Sequence, residues 1–143
     1  MNKNLPDKWI RKALYDNVNG ITVDGETINV YDSRAGLNNP KVGVMIQTQQ
    51  NEVIKDTKCD YRWRHTVLIE CFDRISDVGN SGSRLLCDNV LEAVKNNVLG
   101  MTLDVGSGLE IIGETLTFPG DMNIADGSEI LYRKFLRVLY LIN

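Results

Sequence analysis

Tyr61-Arg62-Trp63-Arg64-His65-Thr66-Val67-Leu68-Ile69-Glu70-Cys71-Phe72 decides the fold. Read at a period of two, Tyr61, Trp63, His65, Val67, Ile69 and Cys71 share one face, and Arg62, Arg64, Thr66, Leu68, Glu70 and Phe72 share the other. The first face is the more apolar, as expected of a strand in a sheet covered on one side. Glu129 to Ile142 poses the same question in a harder form. It can be drawn as an amphipathic helix through Leu131, Phe135, Val138 and Ile142. Its β-branched and aromatic content favours a strand. So does an echo: Tyr61-Arg62 with Val67-Leu68 against Tyr132-Arg133 with Val138-Leu139. The two stretches are therefore expected to be neighbouring long strands of one sheet.

Working outward, Leu5 to Val18 reads as a helix, with Trp9/Ala13 and Ile10/Leu14 at a spacing of four. Pro6 suits its first turn and Asp7 the positive end of its dipole; Asn19-Gly20 stops it. Ile21–Val23 and Thr27–Tyr31 flank Asp24-Gly25, a tight-turn dipeptide, and predict a hairpin. Lys41 to Thr48 reads as a strand, and the polar, aperiodic Gln49 to Asp60 as an exposed loop. After a turn-rich Asp73 to Gly82, a second helix runs from Ser83 to Val98, with Leu86, Val90 and Val94 as its apolar stripe. Leu109 to Phe118 predicts another strand, and Pro119 to Ser128 a long loop. The expected fold is α+β: one domain, residues 1–143, with a mainly antiparallel sheet of four to five strands and two helices packed on one face.

Composition narrows the function. The chain has 143 residues, of which 43% are hydrophobic and 24% charged, ordinary for one globular domain with a real core. Net charge is −3 with 16 basic and 19 acidic side chains, which disfavours a general affinity for nucleic acid or anionic membrane. No apolar run approaches a membrane span, and Met1 to Lys12 lacks the apolar core of a secretory signal. Three cysteines, Cys59, Cys71 and Cys87, without a C-x-x-C, point to buried thiols in a reducing compartment.

Enzyme signatures are searched for without success. The single histidine, His65, shares a face with Cys71, but six residues along a strand is roughly 20 Å, too far for a catalytic pair. Zinc spacing is absent. Asp121 to Glu129 has the composition of a calcium loop, yet Ala125 stands where a ligand is needed. Gly79-Asn80-Ser81-Gly82 before the second helix is a turn that can meet an anion, although the P-loop lysine is missing. No cofactor is expected. Arg62, Arg64, Arg133 and Arg137 fall on the two long strands and predict a basic band, either solvated or a subunit interface.

The order of elements adds a resemblance. His65-Thr66-Val67-Leu68-Ile69-Glu70-Cys71-Phe72 leads through the Gly79–Gly82 turn into a helix with a Leu86–Val94 stripe. This resembles the tail completion and tail terminator proteins of tailed bacteriophages and related neck, or head–tail joining, proteins. The resemblance implies a virion structural protein without catalytic residues. It implies a homo-oligomeric ring, sixfold or twelvefold, assembled in the host cytoplasm between portal or connector and tail proteins. DNA passes through the lumen of such a ring without specific binding. The expected contacts are the four arginines together with Asn51 and Asp56 of one polar loop and Asp121, Asn123 and Asp126 of the other. The competing expectation is a small-ligand or anion-binding module, or an enzyme, using Gly79–Gly82.

Overall fold

The computed structural model describes residues 4–31, 41–55, 61–75, 83–126 and 129–143. Helix α1 spans Pro6–Val18, with Pro6 in its first turn and Asp7 at the positive end of its dipole. Strands β1 (Ile21–Val23) and β2 (Glu26–Ile28) form the expected hairpin. Its turn places Asp24 and Gly25 at φ 51° and 78°, the left-handed pair that a two-residue hairpin requires. Short β3 (Val30–Tyr31) then enters the main sheet parallel to β4 (Val42–Lys55).

β4 pairs antiparallel with β5 (Tyr61–Ile75), and β5 pairs antiparallel with β8 (Glu129–Ile142). The echoed stretches are therefore direct neighbours, with Val67 opposite Val138. Beyond β8, β6 (Ile111–Thr117) takes the Arg137–Ile142 half of its edge and β7 (Met122–Asp126) the Glu129–Arg133 half. Helix α2 (Ser83–Val98) connects β5 to a short 3-10 turn, Val105–Ser107, that precedes β6. The α+β expectation holds, with one parallel edge pair and more strands than foreseen.

Both helices lie on one face. Asp7 of α1 reaches His65 and Thr48, and the Cys87 thiol of α2 donates to the Cys71 carbonyl at 3.4 Å. The core between them holds Ile10, Leu14, Val67, Ile69, Val90, Val94, Leu136 and Val138, all inaccessible to solvent. The α2 stripe is Cys87, Val90, Val94 and Val98; Leu86, expected in it, is only half-buried. From Cys87 to Val98 the stripe advances about 3.7 residues per step, which tracks the 3.6-residue turn, whereas a constant step of four from Leu86 drifts off the buried side.

Two expected loops are strands. Gln49–Lys55 continues β4 against Trp63, Arg64, His65 and Thr66. A bulge between Thr48 and Gln50 shifts the side-chain alternation by one, and so hides the period of two. The segment is extended because β5 supplies backbone partners, not because it buries a face. Met122–Asp126 likewise forms β7 on β8, closing a hairpin at Asp126 and Glu129.

Candidate assembly surface: the open sheet face and its edges

The alternation of β5 and β8 divides the sheet into a helix-covered face and an open one. Leu68 stands opposite Arg137, Phe72 opposite Arg133, and Arg64 opposite Leu141, so Arg62, Arg64, Arg133 and Arg137 all lie on the open face. The expected band exists, but its charges are engaged. Arg64 Nη1 donates to Glu52 Oε2 at 3.2 Å across β4 and β5. Arg133 Nε donates to Glu70 Oε1 at 2.8 Å, and its guanidinium lies 5.1 Å from the Phe135 ring centre. Arg137 Nε donates to Gln49 Oε1 at 2.9 Å. Glu70 is 6% exposed, so its pair with Arg133 belongs to the fold. Arg137 is exposed.

Apolar side chains fill the gaps between the charges. Phe72 and Phe135 are buried; Leu68, Leu131, Leu139 and Leu141 are half-buried. Tyr31 tilts against Phe72, ring centres 6.2 Å apart, over Gly43. A side chain at residue 43 would put a Cβ 2.5 Å from the Tyr31 ring, so glycine is what lets this corner close. Arginine, aromatic and aliphatic groups on one face that no described element covers match the composition of the buried part of subunit interfaces.

The remaining expected contact residues do not join this face as a group. Asn51 projects to the helix side, where its Oδ1 lies 3.3 Å from His65 Nδ1. Asp121 is exposed, with Oδ1 3.4 Å from Lys134 Nζ. Asn123 and Asp126 fall on β7, with only their backbone described; Asp56 and the Gly79–Gly82 turn lie outside the described residues. Cys59 lies outside them too.

The helix-covered side holds His65, Asp73, Cys71 and Cys87, whose pKa values are shifted by burial. His65 is fully buried, which lowers its pKa; the Asp7 carboxylate, 3.7 Å from Nε2, opposes that shift and Arg11 adds to it. Asp73 is buried with neither carboxylate oxygen hydrogen-bonded among the described residues; burial raises its pKa to about 6, against the pull of Lys41. Burial raises the Cys71 thiol well above its ordinary value and the Cys87 thiol to about 12. Such thiols are inert apolar groups, not nucleophiles. Among the described residues no three His, Cys, Asp or Glu side chains are grouped to hold a metal, and no helix is long and apolar enough to cross a membrane. A cleft of about 400 Å³ between α1 and residues 102–105 is lined by Trp9, Lys12, Asp16 and Asp104, with Lys12 Nζ 2.9 Å from Asp16 Oδ2.

What the sequence reading missed are the sheet edges. All eight residues from Gln47 to Ile54 are exposed or half-buried, with β5 their one strand partner among the described residues, and β6 bears exposed Ile112, Thr115 and Thr117. The uninterrupted polar run Gln47-Thr48-Gln49-Gln50-Asn51-Glu52 was the available signal.

No family model matches the chain, and no curated protein does. Among solved structures, a chain from the "Virion of native gene transfer agent (GTA) particle" is similar, with TM-score 0.54 and 12% identity. The match covers 94% of this chain and 96% of that one, so the two share a fold from end to end.

Proposed function

We propose that this chain is a structural protein of a phage-like virion and acts as a ring subunit at the head–tail junction. The observation that carries the reading is the fold shared over nearly the whole of both chains with a gene transfer agent virion component. The open face supports it, since no described element covers it and it carries exposed Arg137 beside the half-buried Leu68, Leu139 and Leu141. So do the two hairpins. β4–β5 closes at Lys55 and Tyr61, and β7–β8 at Asp126 and Glu129, at opposite ends of strands roughly 50 Å long. A subunit with unlike ends suits a stack in which one neighbour lies above and another below.

On this reading the protein is not an enzyme and uses no cofactor. Its partners are copies of itself, in six- or twelvefold order, with connector proteins on one side and tail proteins on the other, and DNA passes through without specific contact. Negative-stain microscopy and native mass spectrometry of the purified chain, alone and with its virion neighbours, test the proposal. Closed rings of one stoichiometry are expected. A chain that stays monomeric under all these conditions, or particles whose tails attach normally without it, overturns the reading.

A further inference from the structure

Among the described residues the sheet has two free edges, and they match in level and direction. Following the registers across the sheet, Gln47 is level with Leu68, Arg137 and Thr117; Gln50 with Thr66, Leu139 and Thr115; Val53 with Trp63, Ile142 and Ile111. The part of β4 without an outer partner among the described residues, Gln47 to Val53, therefore spans the same height as β6, Ile111 to Thr117. β4 and β6 also run antiparallel, because three antiparallel steps separate them.

The steps at the lower ends match as well. On one edge, among the described residues, β3 pairs with β4 at Val44 and Met45, just below Gln47. On the other, β6 ends at Thr117, level with Gln47, and β7 begins lower down, opposite Arg133. A β6 laid beside β4 would occupy the open height and stop where β3 starts. Edge strands normally carry guards, such as Pro or Lys. From Gln47 to Ile54 the only charge is Glu52, and Arg64 holds it. Val53 is 42% exposed, and Ile112, in the bulge next to the Ile111 that is level with Val53, is 44% exposed.

We propose that copies of this chain join edge to edge, β6 of one adding to β4 of the next as an antiparallel strand, so that the sheet runs on from subunit to subunit. The contact is head-to-tail, and a head-to-tail contact closes into a ring when its rotation allows. The inference rests on the ring reading and names the surface that builds the ring.

Disulfide trapping tests it on the full chain with Cys59→Ser. Gln50→Cys and Thr115→Cys lie at one level, and neighbouring antiparallel strands bring Cα atoms to about 4.5–5.5 Å, within disulfide range. Under mild oxidation with copper phenanthroline, the double variant should give a ladder of dimer, trimer and higher species, reversed by reductant. Each single variant should give no covalent dimer. A mismatched pair, Glu52→Cys with Thr117→Cys, is four rungs off, roughly 13 Å, and should not form the ladder. Dimers from either single variant would mean that like edges meet, and would overturn the proposal. A ladder from the mismatched pair would overturn the register. If the matched pair gives no ladder while microscopy shows rings, the edge contact is wrong and the ring reading stands; if neither ladder nor rings form, both fail.

Discussion

Asp73 and His65 are buried ionisable groups whose environments pull stability in opposite directions with pH. Asp73 has a folded pKa of about 6, above its unfolded value near 3.9. The fold thus keeps a proton that the unfolded chain has released, and the stability tied to it is present at pH 4 and lost as pH rises through 6. Asp73→Asn should therefore stabilise the protein at pH 8, by about 1–2 kcal/mol, and change little at pH 4. Thermal melts at both values check this; equal shifts at both would show that charge is not the issue. His65 works the other way. Its pKa is lowered in the fold by burial, so the unfolded chain takes up a proton first as pH falls below about 6.5, and stability drops there. His65→Gln should flatten that acid limb, whatever it does to the melting temperature at pH 8. The two thiols make a third test at this scale. With Cys59→Ser, the buried Cys71 and Cys87 should resist a thiol reagent in the native state and react promptly in denaturant.

At the scale of elements, α2 is held to the sheet by Cys87, Val90, Val94 and Val98, each fully buried. Val90→Ala removes two methyl groups from a site with no solvent to fill it and should cost about 1–2 kcal/mol in denaturant titrations. Leu86→Ala, at a half-buried position, should cost clearly less. An inverted order would mean that the helix is rotated about its axis. On the other face, β5 and β8 are tied by Glu70 and Arg133. Arg133→Met leaves a carboxylate that is 6% exposed without its guanidinium, and should cost about 2–4 kcal/mol. Glu70→Gln with Arg133→Met should recover part of that loss, because the charge of the buried carboxylate is gone. Gly43 shows the same dependence on geometry: Tyr31 and Phe72 close over it only because it has no side chain.

The whole molecule is asymmetric from top to bottom and from edge to edge. Its helices cover one face, its hairpins point opposite ways, and its two free edges are matched in height. A molecule shaped in this way favours head-to-tail growth over a twofold dimer. Because Arg64 and Arg133 of the open face are already paired internally, assembly should depend only weakly on salt. Ring content measured by native mass spectrometry is expected to change little between low and moderate ionic strength. A steep loss with salt would mean that Arg62 or Arg137 makes dominant contacts to an acidic neighbour.

The local pattern by itself determined both helices, the β1–β2 hairpin, the two long strands and their pairing, since each is written in a period of two or of 3.6 or in a turn dipeptide. Glu129 to Ile142 was readable as a strand from its aromatic and β-branched content, and the echo with Tyr61 to Phe72 pointed to its neighbour. It also put the four arginines on one face. Only the tertiary structure decided the rest. Gln49–Lys55 and Met122–Asp126 are strands because β5 and β8 offer them backbone partners, and a polar segment carries no periodic record of a partner outside itself. The bulge at Thr48 and Gln50 erased what little period there was. The ion pairs that engage Arg64 and Arg133, and the equal heights of β4 and β6, depend on registers between strands far apart in the chain, and register is a property of the assembled sheet.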